Sequence, residues 1–191
     1  MQLWVVALAA PVALVVQWLR WKNAAINERA AAAERALAAG DLERAASLFE
    51  AIVAGGGRWA TIELARVLAL RGEIGRAEQA AHQARGEARF ARGVSRKAAE
   101  AQLLLVDVLI RCRRGELADA RALLLGEWAR FETAEGAGGW RAEACLVRGF
   151  LDAASGDSVE VWLGLDDTTR ARVRWMASEW PDLRAFLDAH E

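Results

Sequence analysis

The sequence predicts an all-α protein: a solenoid of helical hairpins preceded by a single transmembrane helix. Three observations carry this. The first 19 residues hold no charged side chain and are almost wholly apolar. The remaining residues are rich in alanine, leucine, arginine and glutamate, lack tyrosine and contain one proline, Pro181. That composition favours helix and leaves no alternation of a strand period. A short phrase, glycine–acidic–apolar–x–x–small, then recurs along the body.

The opening stretch runs from Met1 to Leu19 and stops at Arg20-Trp21-Lys22. At about 1.5 Å per residue, a helix from Leu3 to Leu19 nearly spans a hydrocarbon core of ~30 Å. Trp4 lies near one end, and Trp18 and Trp21 at the other, where amphipathic rings suit the headgroup region. Pro11 falls mid-span, which membrane helices tolerate. A cleaved signal peptide would call for a basic start and a small-x-small site after the apolar run, and Met1-Gln2 and Trp18-Leu19-Arg20 supply neither. A buried core helix is the other alternative. Arg20, Lys22, Arg29 and Arg35 all follow the span, so the expected site is the inner membrane with a cytoplasmic body, and a periplasmic body is the alternative. The expected organisation is an anchor over residues 1–22, helical repeats over 23–165 and C-terminal capping helices over 166–191.

Helices are expected at about 24–39, 42–54, 59–71, 74–92, 97–114, 117–133, 139–155 and 158–164. The repeated phrase sits between the members of each hairpin. Gly40-Asp41-Leu42 leads to Ala45 and Phe49, and Gly72-Glu73-Ile74 to Ala77 and Ala81. Gly115-Glu116-Leu117 leads to Ala120 and Leu124, and Gly156-Asp157 begins a degraded fourth copy. The glycine suits the left-handed residue that closes a helix, and the acidic residue suits the start of the next. The small residue lets two helices approach. Gly55-Gly56-Gly57 and the glycines from Gly136 to Gly139 read as turns between hairpins.

These motifs resemble the tetratricopeptide repeat, a helix–turn–helix unit that stacks into a solenoid. Leu64-Ala65 with Leu68 fits the family's large–small pair; Ala32-Ala33 fits loosely, and Gly149 supplies the small residue of the fourth unit. Asp107-Val108 departs from the pattern in the third. The glycine intervals, 32, 43 and 41, straddle the family period of ~34. A generic antiparallel bundle is the alternative. The resemblance implies a groove that binds partner proteins. With the anchor, the expected function is a membrane-tethered scaffold or accessory subunit of a membrane protein complex.

The tail from Asp166 is expected to start a helix burying Val173, Met176, Ala177 and Trp180. Pro181 would then open a last helix burying Leu183, Phe186 and Leu187. This pair would close the solenoid's last apolar face or dock to another subunit.

Little points to chemistry. Cys112 and Cys145 are read as free buried thiols, and His82 and His190 have no nucleophile or carboxylate at a telling spacing. No catalytic residue, metal site or cofactor is expected, and the chain is not read as an enzyme. The net charge of −1 gives no general attraction to nucleic acid. One charged feature stands out: Arg85, Arg89, Arg92 and Arg96, with Lys97, recur at helical spacing as a stripe. It is either a solvated face or a dock for an acidic partner. The alternative function is a binder of acidic ligands or nucleic acid through this stripe, without a membrane anchor.

Overall fold

The local rule that shapes this chain is a turn used inside each of its four hairpins, and once more at Gly56 between the first two. Gly40, Gly72, Gly115 and Gly156 each adopt a positive φ, between 73° and 80°, a region an L side chain enters only with strain. In each, the glycine N–H donates to the carbonyl three residues back and the following N–H to the carbonyl five back. For Gly40 these bonds run to Leu37 at 2.8 Å and from Asp41 to Ala36 at 2.9 Å. The pattern satisfies the last carbonyls of a helix and redirects the chain. After the first three glycines the acidic residue caps the next helix with nearly the same backbone angles. Asp41 also accepts a hydrogen bond from the Arg44 N–H through its side chain.

The structure, a computed structural model, describes residues 23–89, 94–133 and 138–190. Among these there is no strand. Residues 23–38 form α1. It is followed by α2 (Leu42–Ala54), α3 (Ala60–Leu70), α4 (Ile74–Ala88), α5 (Val94–Arg113), α6 (Leu117–Gly126), α7 (Ala129–Thr133), α8 (Gly138–Ala154) and α9 (Glu160–Leu163). The tail is α10 (Asp167–Val173), a 3₁₀ turn (Arg174–Ala177) and α11 (Pro181–Ala189). The hairpins are α1/α2, α3/α4, α5/α6 and α8/α9. The irregular glycine spacing has a physical origin: α5 is 20 residues long, and α7 is inserted between the third and fourth hairpins. The expected helix over 117–133 is broken at Gly126, after which Trp128 packs on Phe131 and lies beneath the Arg148 guanidinium.

The small residues sit where helices meet. Ala45, Ala77 and Ala120 are fully buried, as are Phe49, Ala81 and Leu124 four positions on. Seven residues before each marker glycine stand Ala33, Ala65, Val108 and Gly149, of which the first three are fully buried. A Cβ on Gly149 would lie 2.6 Å from the Trp162 Cβ and 3.1 Å from the Phe186 ring. In the fourth hairpin Trp162 takes the buried place, because α9 starts two residues later than the phrase implies.

The transmembrane helix of the expected fold class is corrected. Among the described residues no helix is long and apolar enough to cross a membrane. The longest, α5, carries Arg96, Lys97, Glu100, Asp107, Arg111 and Arg113, which a hydrocarbon core would exclude. The expected span through Leu3, Trp4, Pro11, Trp18 and Trp21 lies outside the described residues. Single-pass anchoring in the inner membrane, with its cytoplasmic or periplasmic body, is withdrawn with it, and the fold class is all-α.

Replacing Gly149 with Val should destabilise the protein by roughly 1–3 kcal/mol or more through overpacking against Trp162. Gly115→Ala meets no neighbour within 4 Å, so it should cost only the backbone strain, about 1–2 kcal/mol. Urea denaturation of the two variants checks the order; equal losses would argue against the close approach at Gly149.

Candidate partner-binding site

The first helices of the hairpins, α1, α3, α5 and α8, present an inner face, and the C-terminal tail lies along it. Asp166 caps α10 by accepting from the Thr169 N–H at 2.9 Å and its hydroxyl at 2.7 Å. Those bonds lower the Asp166 carboxyl from its ordinary range. Val173, Met176, Ala177, Trp180, Leu183, Phe186 and Leu187 are all buried. The tail does more than cover the last hairpin. Ser178 lies against Gly40 at the end of α1, where a glycine Cβ would be 3.1 Å from the serine Cβ. Glu179 pairs with Arg71 at the end of α3, at 3.4 Å. Trp180 sits under the Arg113 guanidinium at the end of α5, 5.4 Å away, and packs edge-on against Phe150 of α8 at 5.3 Å. Three consecutive residues therefore touch the ends of all four inner helices.

Beneath this segment ten of the eleven residues of α3, Ala60 to Leu70, are buried, Glu63 being the exception. Arg66, on its inner side, is 4% exposed. Its guanidinium pairs with Glu63 one turn back and with Glu143 of α8 at 2.5 Å. The Trp140 ring lies 4.3 Å from it and the Trp175 ring of the tail 5.0 Å. A buried guanidinium requires such partners, because desolvating an unpaired charge costs several kcal/mol. Burial alone would lower the Arg66 pKa, and the Glu143 and Glu63 carboxylates overcome it and raise it. Burial raises Glu63 to about 7 against the pull of Arg66, with Glu143 and Glu34 adding to the rise. Burial likewise raises Glu143, although Arg66 opposes it. Two carboxylates share one guanidinium, so a proton on Glu63 balances the cluster near neutral pH.

A cavity of about 260 Å³ adjoins this cluster. Glu34 of α1 and Arg172 of α10 line it with Glu63, Arg66, Glu143 and the two indoles. Glu143 Oε2 and Arg66 Nε, both buried, have no hydrogen-bond partner there. These residues were missed in the sequence. Arg66 and Glu143 stand 77 positions apart, and only Glu63, three residues before Arg66, hinted at a local pair.

The arginine stripe is divided. Arg85 and Arg89 belong to the end of α4, Arg96 and Lys97 to α5, and Arg92 lies outside the described residues. Arg85 pairs with Asp107 of α5, and Arg96 with Glu100 at 2.8 Å. Arg89 and Lys97 are exposed. His82 is exposed on α4; His190 Nδ1 lies 2.8 Å from the Phe186 carbonyl. Cys112 and Cys145 are free and buried, and burial pushes the Cys112 thiol up to about 12 and raises Cys145. Among the described residues no set of three His, Cys, Asp or Glu side chains is placed to hold a metal ion. Comparison with protein families, curated proteins and solved structures finds no match to the chain.

Replacing Arg66 with Met leaves Glu63 and Glu143 buried without their cation and should cost about 3–5 kcal/mol near pH 7. The loss should shrink as pH falls and both carboxylates protonate. The raised Glu63 pKa has its own sign: the folded state binds this proton more tightly, so its stabilisation is full below pH ~4.5 and is lost as pH rises toward about 7. Glu63→Gln should flatten that part of the stability–pH curve; an unchanged slope in denaturant titrations at several pH values would contradict the assignment.

Proposed function

We propose that this chain is a helical-repeat protein-binding scaffold whose inner face receives an extended or helical segment of a partner. The observation that carries this is the tail: residues 175–180 lie on that face and engage all four hairpins at once. A surface that holds one chain segment through a stacked indole, ion pairs and apolar sockets has the chemistry to hold another. The tetratricopeptide resemblance belongs to this reading, supported by the four glycine turns with one hydrogen-bond pattern and by the small residues between the helices. The division and internal pairing of the arginine stripe make the acidic-ligand alternative the weaker one.

A photo-cross-linking amino acid tests this. Placed at Glu34, exposed at the edge of the inner face, it should capture a discrete partner in cells of the source organism. Placed at Gln79, exposed on the second helix of a hairpin, it should not. Excess unlabelled protein should compete for the Glu34 product. Equal capture from both positions, or none beyond the chain itself, would contradict the inner face as the binding surface.

A further inference from the structure

The tail leaves part of the inner face unfilled, and the unfilled part has a definite chemistry. The 260 Å³ cavity beside Arg66 has three carboxylates on its walls, Glu34, Glu63 and Glu143, against two guanidinium groups, Arg66 and Arg172. Its deepest carboxylate, Glu143, is 6% exposed and offers an oxygen, Oε2, with no donor. The indoles of Trp140 and Trp175 form apolar walls. Three of the buried polar atoms lacking a hydrogen bond, on Arg66, Glu143 and Ser178, lie where the tail meets the inner helices. Native interiors carry few such atoms, so the tail is an imperfect occupant here.

We propose that this cavity is a subsite for a single cationic side chain, a guanidinium or ammonium group presented by a partner segment. The inference rests on the scaffold reading above and gives the chemistry of one residue of the partner. The cation donates to Glu143 Oε2 and supplies the positive charge that the two carboxylates on Arg66 lack. Its stem lies against the indole walls, as long basic side chains do on apolar surfaces. An anion is disfavoured by the carboxylate excess. A neutral group leaves that excess uncompensated. Glu63 supports the assignment: its proton, held up to about pH 7, occupies the same charge deficit that the ligand fills. The groups facing Glu63 from the packed elements are Glu34 on α1, Arg66 on α3, Glu143 on α8 and Arg172 on α10. Binding a cation in place of the Glu63 proton makes affinity rise with pH through about 7.

The full chain is titrated with N-acetylarginine methylamide and, as its neutral isostere, N-acetylcitrulline methylamide, following the indole N–H signals of Trp140 and Trp175 by NMR. The arginine derivative should shift both signals saturably and bind at least tenfold more tightly than the citrulline derivative. Its affinity should increase several-fold between pH 6 and pH 8. Glu143→Gln should weaken it tenfold or more. Glu34→Gln, at the exposed mouth, should weaken it a few-fold with no change in melting temperature, which keeps the test sound if the Glu143 variant folds poorly. Equal affinities for the two derivatives, or no saturable shift at either pH, would overturn the proposal and leave the cavity to water. If cross-linking from Glu34 succeeds while arginine fails to bind, the cation subsite falls and the scaffold reading stands.

Discussion

The inner face of this protein is organised around one buried cation. Arg66 joins its own helix to α8 through Glu143 and carries the tail through the Trp175 ring. Such a charge is tolerated only where its partners are in place, so the positions of α3, α8 and the 3₁₀ turn depend on one another. An apolar residue at 66 would fill the space with less electrostatic cost. The ionic version demands one arrangement of three separate elements, and it leaves a carboxylate in excess.

Around that centre the repeated turn does the architectural work. Gly40, Gly72, Gly115 and Gly156 each end an inner helix with the same pair of hydrogen bonds, and the partner helix starts a residue or so later in three hairpins of four. Similar turns place the inner helix ends in series, and the tail uses that series. Ser178, Glu179 and Trp180 meet one, one and two of these helix ends in order. The tail thus combines two roles: α11 covers the last hairpin through Leu183 and Phe186, while the segment before it closes the inner face.

Much of this was legible in the sequence because it is local. The glycine–acidic phrase found all four turns, since a positive φ and a helix start leave marks within six residues. The burial of Val173, Met176, Ala177 and Trp180 in the tail is as their spacing suggests, although the helix expected to carry them ends at Val173 and gives way to the 3₁₀ turn, with Trp180 extended. What was not legible depends on distant contacts. Nothing near Arg66 announces Glu143, and nothing near Ser178 announces Gly40. The arginine stripe misled for a related reason: periodicity extends a face past the end of α4, and Asp107, which neutralises Arg85, comes from the next helix. The break at Gly126 was missed because the apolar run around it still suits a helix.

The tail is held on the inner face by the Arg66 cluster. Hydrogen exchange measured by mass spectrometry on the wild type and on Arg66→Gln tests it most directly. In the wild type, amides of residues 171–180 should be protected to a degree comparable with α3 and α8. In the variant, that segment should lose protection selectively, while α2, α4 and α6 keep theirs. Fast exchange of residues 171–180 in the wild type, or protection unchanged by loss of the guanidinium, would contradict it.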